Sequence, residues 1–151
     1  MSDKNDSRAA SVDGSWHNDA GSELELKQDG LKITGVYRTR LGAAEHGKDY
    51  PLVGWRDQRC LAFSVNWGPD CESMTSWTGL ISIAQDGTPV ISAMWLLVSG
   101  TSLKFDGKVV TVVDSNAWEA FRTQSVVFRR LEPTKQFYGS SVLLDEPFSG
   151  R

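Results

Sequence analysis

A period of two governs what this chain can fold into. Leu24 and Leu26 alternate with Glu23, Glu25 and Lys27, and Leu61, Phe63, Val65 and Trp67 alternate with Ala62, Ser64 and Asn66. Successive side chains of a strand point to opposite faces, so each run carries one apolar face. A sheet built this way is solvated, or packed by another subunit, on one side only. Strands read at Gly14–Asn18, Ser22–Gln28, Leu31–Thr39, Asp49–Arg56, Leu61–Trp67, Ser76–Ala84, Thr88–Val98 and Thr123–Leu131. Asp29-Gly30 and Asp86-Gly87 each separate two such runs and mark hairpins. No segment carries a long helical pattern, and Asn116–Phe121 has room for a short helical turn at most. An all-β barrel or sandwich follows. Aromatic residues crowd one face of these strands, which favours an eight-stranded antiparallel up-and-down β-barrel. A barrel of that size holds one small ligand.

Flanking segments bound the domain. Residues 1–13, rich in Asp, Ser, Asn, Lys and Ala, read as a disordered leader without the apolar centre of a signal peptide. Residues 14–132 form the barrel domain, and 133–151 read as a flexible tail carrying one apolar patch, Val142-Leu143-Leu144. Between Gly100 and Asn116 an inserted stretch centred on Phe105-Asp106-Gly107-Lys108 predicts an extra hairpin near one barrel mouth. A formal net charge of −3 with scattered Lys and Arg argues against nucleic acid as a partner. No apolar run approaches the roughly 20 residues of a membrane-spanning helix, so no membrane partner is expected. Cys60 and Cys71 flank a strand at its two ends, too far apart for a disulfide, so two free thiols are expected. The cysteines leave the compartment open, and with only His17 and His46 beside them no zinc spacing exists.

Function is most legible in the tryptophans. Six in 151 residues is heavy use of a large rigid side chain with one polar handle. Trp16, Trp67, Trp77 and Trp95 stand on strand-like stretches beside Ser, Thr or Asn. Several aromatic walls around a few polar groups describe a small-molecule pocket. Asn, Ser and Tyr side chains buried together are costly unless something satisfies them, and a ligand does so. No His and no pair of carboxylates stands where such a pocket would form, which argues against an enzyme. No cofactor is implied.

Five motifs in order carry a resemblance: Gly-Ser-Trp-x-Asn-x-x-Gly-Ser at 14–22, Thr34-Gly35-Val36-Tyr37, Ser73-x-Thr75-x-Trp77-Thr78-Gly79, Trp95-Leu96-Leu97 with Ser99-Gly100, and Asn116-Ala117-Trp118. From about Gly14 to Leu131 the chain resembles the avidin and streptavidin family of biotin-binding barrels. The resemblance implies non-catalytic, high-affinity binding of biotin. Asn18, Ser22 and Tyr37 would converge on the ureido oxygen, and Thr39 would accept from a ureido nitrogen. Trp67 and Trp95 would pack the ring system, with Trp77 closing the inner end and Leu97 lining the wall. Thr75 would meet the ligand sulfur, and Ser73 with the Arg40–Lys48 loop would hold the carboxylate. Trp118 would cap the site of a neighbouring subunit, which implies a homo-oligomer, a tetramer in preference to a dimer. Trp16 would serve the core.

One position departs from the family pattern. Eight residues after the capping tryptophan the family carries an Asp or Asn that accepts from the second ureido nitrogen, and here Val126 stands there. Phe128 keeps its spacing, and Ser125 points to the opposite face. A buried donor left without a partner costs about 1–3 kcal/mol. Affinity one or two orders weaker follows, at about 1.4 kcal/mol per decade. Val126 therefore keeps open a barrel of this kind for another small ligand or a peptide. A lipocalin-type lipid carrier shares the eight-strand barrel but not the polar residues gathered here.

Overall fold

The computed structural model of the chain describes residues 6–40, 46–69 and 71–131. Among the described residues ten strands run β1 (Gly14–His17), β2 (Glu23–Asp29), β3 (Lys32–Arg38), β4 (Tyr50–Asp57), β5 (Cys60–Asn66), β6 (Ser73–Ile83), β7 (Pro89–Ser99), β8 (Thr101–Asp106), β9 (Val109–Asp114) and β10 (Phe121–Arg130). Eight of them close an antiparallel barrel in the order β1-β10-β7-β6-β5-β4-β3-β2, and β8 and β9 form a separate two-stranded ribbon. The eight-stranded barrel expected from the alternation is the observed fold.

Alternation decides which side chains fill the interior. On β4, Tyr50, Leu52, Gly54 and Arg56 are buried or inward while the residues between them are exposed; on β5, Leu61, Phe63 and Val65 do the same. Gly54 stands opposite Phe63, where a β-carbon would run into the Ala62 carbonyl oxygen, so the close approach of β4 and β5 requires glycine. Closure joins the two ends of the domain, Trp16 pairing with Arg130 and His17 with Arg129.

Residues 6–13 correct the expectation of a disordered leader. Val12 is fully buried, and its carbonyl accepts from Trp16 Nε1 at 2.9 Å. Asp13 Oδ1 accepts from the Gln28 amide at 2.8 Å. Arg56, only 5% exposed, donates to the carbonyl oxygens of Ser7, Arg8, Ala10 and Gln58. Burial lowers the Arg56 pKa from its ordinary value. Arg130 lies over the Trp16 ring, 4.4 Å from its centroid, and donates to the carbonyl oxygens of Ser11 and Asp13. The leader is thus tied down by side chains far along the sequence, which its own polar composition does not reveal. Cys60 and Cys71 are free, as expected. The tail patch Val142-Leu143-Leu144 lies outside the described residues.

Candidate functional site

The turn between β1 and β2 builds the polar end of the barrel interior. Asn18 Oδ1 accepts from the amides of Ala20 and Ser22, both at 3.0 Å. The Asn18 amide donates to the Ser22 carbonyl at 3.1 Å, and the Gly21 amide to the Asn18 carbonyl at 3.2 Å. Gly21 has φ of 88°, a left-handed conformation that a side chain resists. This closed turn sets Asn18 and Ser22 beside Tyr37 of β3, near enough for both side chains to act on the phenol. Burial pushes the Tyr37 pKa above its ordinary value of 10.0, and the neighbouring Ser22 and Asn18 side chains pull against that rise. The phenol therefore stays protonated across neutral pH. Thr39, just past β3, is buried as well.

Aromatic rings form the adjoining wall. Trp77 is stacked between Tyr37 (4.7 Å between centroids, 28° between planes) and Phe63 (5.0 Å, 18°). Trp67 meets Tyr37 edge-on at 5.7 Å and Tyr50 at 5.0 Å. Its Nε1 donates to Thr75 Oγ1 at 2.8 Å, which uses one lone pair of that hydroxyl and fixes the indole. Ser73, half-buried, directs its hydroxyl to Cys71 Sγ at 3.6 Å. Tyr50 and Phe63 complete this wall, and neither belongs to the motifs that carry the family resemblance. The signal for them was present, since both fall on the inward phase of their strands.

The opposite side of the interior is more open. Trp95 and Leu97 of β7 are half-buried, facing β10. Phe128 is fully buried, and alternation puts Val126, Gln124 and Arg122 on the same inward phase of β10. Leu61, Gly79, Ala93 and Val126 are successive cross-strand partners, an apolar row. One step along, Phe63, Trp77, Trp95 and Gln124 form the next row. Val126 is half-buried against the core, and Ser125 is exposed on the outer face, as its position predicts. Trp118 stands apart from its own chain's pocket, 90% exposed, with its ring 6.4 Å from that of Phe121. Among the described residues no group of three or more His, Cys, Asp or Glu side chains is placed to hold a metal ion.

Comparison with known proteins agrees with this geometry. The sequence profile described as "Avidin family" matches residues 6–121. The chain belongs to the avidin family. That family consists of non-catalytic biotin-binding proteins, for which biotin is a ligand and not a cofactor. Avidin from Gallus gallus is 34% identical over 126 residues, covering 78% of this chain and 82% of its own length. Afifavidin from Afifella pfennigii is 32% identical over 96 residues, 60% of each chain. Among solved structures, xenavidin superposes with a TM-score of 0.63 at 26% identity, covering 80% of this chain and 97% of its own. A rhizavidin–biotin complex superposes with a TM-score of 0.60 at 24% identity, covering 81% and 93%, which speaks for the fold alone. The family match ends at Phe121, so the strand bearing Val126 lies beyond it.

Proposed function

We propose that this avidin-family chain binds biotin in the barrel interior with high affinity, as part of a homo-oligomer. The observation that carries the reading is the meeting of Asn18, Ser22 and Tyr37, all buried, beside the Trp67–Trp77 wall. Their three polar groups suit the ureido oxygen, because preorganised donors in a dry site favour the partial negative charge there. Thr39 then serves a ureido nitrogen, and Trp67, Trp95 and Trp77 enclose the rings. Thr75 meets the thioether, Leu97 lines the wall, and Ser73 meets the carboxylate.

Exposed surface supports the oligomer. Met74 and Leu80 on β6, Met94 and Leu96 on β7 and Val127 on β10 all lie on the outer phase of adjoining strands, each 38–53% exposed. Apolar side chains exposed together on one face mark an association site, here interleaved with their cross-strand partners Ser76, Thr78, Ser92, Thr123 and Ser125. Trp118, exposed next to Phe121, is the side chain offered to a neighbour, and a homotetramer is favoured over a dimer. Titration calorimetry with biotin tests the ligand, with saturable binding of one biotin per chain as the expected result; absence of heat overturns it. Light scattering on wild type and Trp118→Ala tests the assembly. A wild-type monomer overturns the shared site, and a dimer restricts Trp118 to one interface.

The apolar Leu61–Gly79–Ala93–Val126 row favours a second reading, an avidin-like pocket for a small ligand or peptide that presents no donor on that side. Tighter binding of such a ligand than of biotin in the same calorimeter would select it.

A further inference from the structure

Val126 leaves the second ureido nitrogen without the carboxylate or amide that the family pattern puts there, yet the same face of the same strand carries an amide two residues away. We propose that Gln124 is a ligand-binding residue whose Oε1 accepts the hydrogen bond that Val126 cannot, an inference resting on the biotin reading above.

Geometry narrows the choice to this side chain. On the inward phase of β10 the residues flanking Val126 are Phe128 and Gln124, and Phe128 has no acceptor. Across the sheet Val126 faces Ala93, and beyond it Gly79, neither of which carries a polar side chain. Ser125 and Thr123 stand on the outward phase, and the Thr123 hydroxyl is already committed to the Trp95 carbonyl at 2.8 Å. Gln124 is the direct cross-strand partner of Trp95, which is the partner of Trp77. It therefore sits in the row that contains two walls of the pocket, about 7 Å along the strand from Val126. Its side chain is one methylene longer than the Asn the family uses, and strand side chains lean along the strand. A ring nitrogen lying between the two rows is within its span. Gln124 is also exposed within the single chain, on a face where Trp95 and Leu97 are only half-buried, so water or a ligand reaches it.

Gln124→Met keeps the length and removes the amide. In calorimetry with biotin, Gln124→Met is expected to weaken binding about tenfold in the wild-type background. With Val126→Asp also present, the new carboxylate takes the nitrogen, and adding Gln124→Met then changes the dissociation constant by less than about twofold. An unchanged dissociation constant in Gln124→Met overturns the inference, as does an equal loss in both backgrounds, which marks a packing role. Thermal melts of each variant separate loss of binding from loss of fold. Absence of heat from the wild type overturns the biotin reading and this inference with it. That outcome is distinct from wild-type binding that ignores Gln124.

Discussion

The barrel strands and the β8–β9 ribbon share one sequence pattern and meet opposite fates. In β5, Leu61, Phe63 and Val65 alternate with smaller or polar residues and all end at 3% exposure or less. In the ribbon, Leu103 and Phe105 on β8 pair with Val112 and Val110 on β9, giving one apolar face. Those four remain 46–74% exposed. Period two thus specifies that a face is apolar, not that anything covers it. Coverage came to β5 because seven further strands close around the same axis, whereas a lone two-stranded ribbon has no second layer. Burial energy follows closure, so the barrel interior carries the stability and the ribbon contributes little to it.

Substitutions break or sharpen this contrast. Trp77→Ala empties the space between Tyr37 and Phe63 and is expected to cost about 3–5 kcal/mol in chemical denaturation. A cost below 1 kcal/mol would mean that the stacked rings are not the core of the barrel. Asn18→Ala leaves the buried Ser22 amide without its acceptor, and about 1–3 kcal/mol of stability is expected to go with it.

Alkali probes the same polar end through Tyr37. Its folded pKa is raised, so the neutral phenol's contribution is whole below the ordinary value near 10 and is lost only as pH rises through the higher folded value. Biotin binding and stability are expected to hold level from pH 7 to 9 and to fall in stronger alkali. Titrating calorimetry across that range checks it, and a fall beginning near pH 8 contradicts a buried phenol. The smallest effect is expected on the ribbon: Leu103→Ser with Phe105→Ser changes unfolding free energy by no more than about 0.5 kcal/mol in the single chain. A loss above 2 kcal/mol in denaturation would show that the ribbon is covered after all.

Much of the candidate site was legible because it sits in local motifs. Asn18 and Ser22 belong to one turn whose Gly21 announces it, and Trp77 and Trp95 lie on strands whose phase is plain. Tyr50, Phe63 and Gln124 were harder, since each looks like an ordinary strand residue until its cross-strand partner is known. Gln124 gains meaning from Trp95, 29 positions earlier, and no local signal joins the two. The leader misled for the same reason: its polar composition says nothing of Arg56 or Arg130, whose guanidinium groups gather its carbonyl oxygens.

By itself, the amino-acid order determined the strands, their apolar faces, the hairpins at Asp29-Gly30 and Asp86-Gly87, and the residues of the polar turn. These rest on backbone preferences and side-chain alternation within a few residues. Only the tertiary structure decided that residues 6–13 would be tied down, that Gln124 would stand in a row with Trp77 and Trp95, and that Trp118 and the ribbon would stay outside. The row rests on β10 pairing with β7 and β7 with β6, and the tying-down of residues 6–13 on the seam between β1 and β10, where Trp16 meets Arg130 across nearly the whole domain. A pairing of that separation is set by how all eight strands close, and no short stretch of sequence encodes it.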